Sequence, residues 1–154
     1  MIESENDNID RILFLINWNR SISEQQAGIS LARELLFLKP FFRPTGRYGG
    51  KGVWENCALI LCERSDTELE PYIMEMLLWL EDLNWRGAEL IQARLIQFQK
   101  VTALADGLNN LVPQLSELGK KAWIEFLSEL LTNPLLPTAL NSNTVEILQS
   151  NYPR

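Results

Sequence analysis

A chain of 154 residues, 46% hydrophobic and 22% charged, has the composition of one folded domain rather than of a disordered tail. Its 14 basic and 20 acidic residues leave a formal charge of −6. That charge argues against nucleic acid as a partner and favours another protein, a basic one included. Histidine is absent, which removes Ser-His-Asp and Cys-His nucleophile activation, the zinc sites that mix His with other ligands, and the commonest general base near neutral pH.

No apolar run approaches the roughly 18 residues that mark a membrane span. The opening MIESENDNID carries no basic patch ahead of an apolar stretch, so neither membrane insertion nor secretion is expected and the cytoplasm is the default location. Cys57 and Cys62 lie five apart in a helical-looking segment, which turns them about 140° from one another. They read as two small core residues, with no disulfide or shared metal between them.

Leucine occurs 27 times against 16 for isoleucine plus valine, and no run of β-branched residues alternates with polar ones, so helix is expected throughout. Ile9, Ile12, Leu13 and Ile16 share one helical face over 8–17. Ser23 with Gln26 reads as a capping box for a second helix over 24–38. Pro40, Pro44, Gly46, Gly49, Gly50 and Gly52 make 40–52 a flexible loop. The segment 53–63 is apolar enough for a buried third helix.

Ser65 with Glu68 is a second capping box, and Pro71 suits the first position of the helix that runs to Leu80. Asn84 is expected to cap a helix bearing Ala88, Ile91, Leu95 and Phe98. Val101, Leu104, Leu108 and Leu111 form the next, which Pro113 should break or kink. A short helix from Pro113 to Gly119 and another over 120–132 follow. Residues 133–154 form a C-terminal tail in which Asn143 and Glu146 could cap a short helix.

The segment 79-WLEDLNW-85 concentrates two tryptophans, two acids and an asparagine. Helix-terminal logic makes it a structural joint: Trp79 finishes one helix, Asp82 accepts N–H groups in the turn, Asn84 caps the next helix and Trp85 covers the junction. Neighbouring acids at a helix end diverge and no third ligand is in sight, so a metal or catalytic role for Glu81 and Asp82 is not expected.

The run 66-DTELEPYIMEMLLWLEDLNWRGAELIQARL-95 resembles a bacterial family known as domain of unknown function 5071, marked by a Trp-Leu-acid/amide-Asp-x-Asn-Trp-Pro-x-Ala stretch in a helical, HEAT-like domain. Trp79, Leu80, Glu81, Asp82, Asn84, Trp85 and Ala88 match, 112-VPQLSELGKKAWIEFLSELL-131 is also similar, and Arg86 stands where the family has proline. The resemblance spans roughly 66–132. It implies a helical-repeat fold and brings no activity.

Between Glu34 and Glu55 the chain has four basic residues, Lys39, Arg43, Arg47 and Lys51, and no acid. GRYGGK departs from the phosphate-loop spacing, lacks the following Ser or Thr and follows no strand. If the loop is more than a solvated connection, it is a partner contact in which Phe41, Phe42 and Tyr48 anchor while Arg43, Arg47 and Lys51 donate hydrogen bonds.

The fold expected is all-α, a single domain over 1–154 of antiparallel helix pairs in a HEAT-like or armadillo-like stack; Trp18, Trp54, Trp85 and Trp123 recur at gaps of 36, 31 and 38. No catalytic, cofactor-binding or metal-binding residue is expected. The function expected is a non-enzymatic protein-binding module of a bacterial cytoplasm, of the immunity type that masks a toxin. The alternative is a small enzyme or ligand-regulated module with a carboxylate site between helix pairs.

Overall fold

The computed structural model describes residues 5–153, and the described residues contain helices and 3-10 turns without a strand. The chain divides into two compact units, Met1–Glu63 and Arg64–Arg154.

The first unit holds α1 (Glu5–Leu15), α2 (Ile22–Ala32), a 3-10 turn (Lys39–Phe41) and α3 (Lys51–Cys62). Ile9, Ile12 and Leu13 of α1 are buried with Ile16 just beyond it. The cap of α2 is Ser21, two residues before the expected Ser23: the Ser21 hydroxyl accepts from the Glu24 N–H at 3.1 Å. The Glu24 carboxylate also receives the Arg20 guanidinium in a charge-assisted pair, stronger than any bond that a neutral Gln26 amide would make.

Helix α2 stops at Ala32 rather than near 38. Pro40 cannot continue a helix and restricts Lys39 before it. The chain instead turns so that Leu35, Leu38 and Phe41 are buried. The basic segment then folds back on itself. The Pro44 carbonyl accepts from the Gly50 N–H at 2.7 Å and from the Trp54 indole N–H at 2.9 Å. Arg43 holds a left-handed φ of 50°, a backbone that costs an L-residue about 1 kcal/mol.

A buried amide joins these elements. Asn56 on α3, 6% exposed, donates to the Ile16 carbonyl at 2.7 Å and to the Gln25 side-chain oxygen at 2.9 Å. Gln25 in turn donates to the Arg20 carbonyl.

The second unit holds α4 (Asp66–Leu69), a 3-10 turn (Glu70–Tyr72), α5 (Ile73–Trp79), α6 (Ala88–Ile96), α7 (Val101–Glu117), α8 (Lys121–Ser128), a 3-10 turn (Glu129–Thr132) and α9 (Ser142–Asn151). The Ser65–Glu68 box caps α4 with both reciprocal bonds. Pro113 does not break α7. The helix interior loses about 3 kcal/mol to a proline, but only one turn follows it, and Val112 just before the proline and Leu115 in that turn are buried. Asn141, not Asn143, occupies the cap position of α9.

Buried donors close this unit as well. The Trp123 indole N–H reaches the Leu77 carbonyl, the Gln92 amide reaches Phe126, and the Asn133 amide donates to the Phe98 carbonyl at 2.8 Å just past the end of α6. The four tryptophans spaced through the sequence occupy different settings: Trp54 and Trp123 lie buried in α3 and α8, Trp85 lies in a turn, and Trp18 is 44% exposed after α1.

Helices α1 and α2 approach closely at Gly28, where an added Cβ would stand 2.6 Å from the Ile16 Cγ2 and 3.0 Å from the Leu15 Cβ. Neither atom is the end of a flexible chain. Gly28→Ala is therefore expected to lower stability by about 1–3 kcal/mol, the usual cost of overpacking, despite the better helix propensity of alanine. Urea unfolding followed by circular dichroism measures it, and an unchanged or raised midpoint would mean that the contact relaxes without cost.

Candidate functional site

The two segments that the sequence singles out fall in different units. The tryptophan-rich segment lies between α5 and α6. Asp82 accepts the Asn84 N–H at 2.8 Å, and the Asp82 carbonyl accepts the Trp85 N–H at 3.0 Å. Trp79 is fully buried and its indole N–H donates to the Arg86 carbonyl at 3.1 Å.

Asn84 is not the helix cap. The segment turns twice before α6 begins at Ala88, and the cap is Gly87 at φ 85°, a left-handed conformation that favours glycine over a side-chain cap. Trp85 is half-buried and Asn84 exposed. Carboxylate and indole both serve the turn, with no convergent set of acids. Among the described residues no group of three or more Cys, Asp and Glu could hold a metal ion. Burial pushes the Cys57 thiol far above its ordinary range, so it is a poor nucleophile.

A second tie sits at the start of this unit. The Asp66 carboxylate accepts from the Arg94 guanidinium and, at 2.8 Å, from the Gln99 N–H. Partial burial would raise the Asp66 pKa, but the hydrogen bonds from Gln99 and Arg94 outweigh it and hold the carboxyl below its usual range.

The basic segment belongs to the first unit and packs along α1. Its residues do not form one site. Phe42 and Arg43, with Lys39, border a shallow depression shared with Asn6, Ile9, Asp10 and Leu13 of α1. Arg47 and Tyr48 border two others. One is shared with Asp7, Asp10, Arg11 and Phe14, whose spacing places them on one stripe of α1. The other is a recess of about 270 Å³ shared with Leu13, Phe14, Asn17, Asn19 and Arg20. Lys51 lines none of the three; it is the exposed first residue of α3.

In the recess the Arg20 guanidinium lies 4.5 Å over the Phe14 ring and the Arg47 guanidinium 5.3 Å over the Tyr48 ring. The Asn19 N–H donates to the Asn17 side-chain oxygen at 3.0 Å. Phe14, Asn17, Asn19 and Arg20 are the members that sequence reasoning does not single out. A signal exists for Phe14: within ILFLI it lies about 140° from Ile9 on the helical wheel, away from the buried face.

A family model described as Domain of unknown function (DUF5071) matches residues 55–141. That is 87 of 154 residues, more than half, and the chain belongs to this family. The match reaches further at both ends than the resemblance over 66–132, taking in most of α3 and the cap of α9. It includes the tryptophan-rich joint and leaves out the recess on α1. No curated protein and no solved structure matches the chain.

Two stability tests follow from the turn and the Asp66 tie. Asp82→Ala removes the acceptor of the Asn84 N–H and should cost about 1 kcal/mol, as loss of a comparable side-chain-to-backbone bond does. Asn84→Ala should cost less than about 0.5 kcal/mol, like an ordinary surface change; equal costs would return Asn84 to a capping role. For Asp66, a lowered folded pKa means a contribution that is complete above the unfolded value of about 3.9 and is lost as pH falls through the folded value. Asp66→Asn should therefore destabilise the protein at pH 7, and the gap to the parent in urea midpoint should narrow as pH falls below about 4. A gap independent of pH would show that the charge of Asp66 contributes nothing.

Proposed function

We propose that this protein is a non-enzymatic protein-binding module that docks through the face formed by α1, the turn after it and the 39–48 segment. In its sharpest form it is an immunity-type protein of a bacterial cytoplasm, its helices stacked in HEAT-like antiparallel pairs, that masks a toxin by covering its surface.

The observation that supports this reading is the composition of the face. Three depressions run along one helix: Phe14, Arg47 and Tyr48 line two of them, Arg20 one of those two, and Phe42 and Arg43 the third, while Phe14 is 45% exposed and Trp18, just past the helix, 44%. Exposed aromatics and arginines are what protein interfaces concentrate, because large rings bury area at low entropic cost and guanidinium forks add directional bonds. The carboxylates on this face, Asp7 and Asp10, line a depression together with Arg11 and Arg47, so this part of the face carries charge of both signs.

The net charge adds a constraint. The first unit has seven basic and eight acidic residues, the second seven and twelve, so −5 of the total −6 belongs to Arg64–Arg154. Attraction for a basic partner attaches to the second unit and not to the α1 face.

Affinity capture from the native cell with the whole chain as bait, followed by calorimetry on the recovered protein, tests this. Phe14→Ala with Tyr48→Ala is expected to weaken that partner about tenfold or more, as truncation of interface anchors does. Undiminished affinity of the double variant would place the interface elsewhere, and a small molecule retained in place of a protein would favour a ligand-regulated module.

A further inference from the structure

The recess bordered by Phe14, Asn17, Asn19, Arg20, Arg47 and Tyr48 differs from the other two depressions in that no Asp or Glu lines it. At about 270 Å³ it falls just short of the roughly 300 Å³ at which small-molecule sites begin, and it has room for one or two side chains. We infer that it seats the carboxylate of an Asp or Glu side chain on an acidic segment of the partner protein, an inference that rests on the docking reading above.

Charge complementarity carries the choice of occupant. Among the described residues no ion pair engages Arg47, whose guanidinium is set over the Tyr48 ring. Arg20 gives its Nε and one Nη to a single Glu24 oxygen, which together with the Phe14 ring fixes the plane of the guanidinium. The Asn17 oxygen accepts from the Asn19 N–H, and the amide N–H₂ of the same side chain supplies donors.

The Arg47 fork, the Arg20 edge that Glu24 leaves open and an amide donor around a small recess match a planar carboxylate, which accepts two parallel N–H bonds. The rings beneath supply apolar area for the methylene stem of the same side chain. Both guanidinium groups are held in place: Arg20 by Glu24 and the Phe14 ring, and Arg47 by its ring contact. Less side-chain freedom is then lost on binding.

The test titrates two short acetylated and amidated peptides into the ¹⁵N-labelled full chain. One alternates Glu with Leu; the other has Gln at every Glu position. The Glu peptide should give saturable shifts at residues 17–20 and 47–48, and the Gln peptide should bind about tenfold or more weakly. Arg47→Gln should weaken the Glu peptide to a similar degree while leaving the thermal midpoint unchanged, and raised salt should weaken it too.

Four results would overturn the inference. Equal affinity for the two peptides at these residues would remove the carboxylate and leave the docking face standing. Indifference to Arg47→Gln would move the anchor elsewhere. Inorganic phosphate saturating the same residues as tightly as the Glu peptide would make this a free-anion site. Absence of any saturable shift up to about 5 mM, weaker than an affinity of about 3 kcal/mol, would sink the inference even if a captured partner still binds the whole chain.

Discussion

The first unit depends on satisfying one buried amide. Asn56 lies in the apolar interior, and its two N–H groups would cost several kcal/mol if stripped of water without acceptors. The Ile16 carbonyl and the Gln25 oxygen supply those acceptors, and in doing so they set the end of α1 and the start of α2 against α3. Gln25 passes the constraint to the Arg20 carbonyl. A core hydrogen-bond requirement thereby fixes the backbone on which the recess is built. The Trp18 N–H bonded to the Gly52 carbonyl at 3.0 Å adds a tie between the same turn and the start of α3.

The second unit reaches the same end by other means. Its helices are short, several below the length at which an isolated helix is stable in water, so their persistence rests on packing and on donors placed at helix ends. Asn133 satisfies the Leu95 and Phe98 carbonyls where α6 finishes, and Asp66 receives the Gln99 N–H and Arg94. Pro113 illustrates the balance: a residue that ends an isolated helix is carried inside α7 where Val112 before it and Leu115 in the turn beyond it are both buried.

The two units also divide the chain's character. The family match covers all of the second unit up to Asn141 and only the α3 portion of the first. The arginine and aromatic face, by contrast, belongs to the part before Glu55. The tryptophan-rich segment, which the family match includes, serves a turn; Phe14, Arg20, Arg47 and Tyr48 lie outside the match. The first unit is nearly balanced in charge, and most of the net negative charge lies on the second.

Composition and periodicity alone determined that the chain is helical, because leucine-rich stretches with 3.6-residue spacing and few β-branched runs leave no competing pattern. The same spacing identified Ile9, Ile12, Leu13, Ile91, Leu95 and Leu108 as core. The Ser65–Glu68 box was legible for the same reason, since both bonds are local. The Ser21 cap is equally local, and Arg20, four residues before Glu24, is a local partner too. Only the tertiary structure decided that Asn84 stands before a double turn, that α7 runs through Pro113, and that Asn56, Gln92 and Asn133 are buried donors, because each depends on which distant carbonyl or core face lies opposite. The recess was beyond sequence reasoning in the same way: Arg47 and Tyr48 are separated from Phe14 and Arg20 by some thirty residues, and no periodicity says which loop will lie along which side of α1.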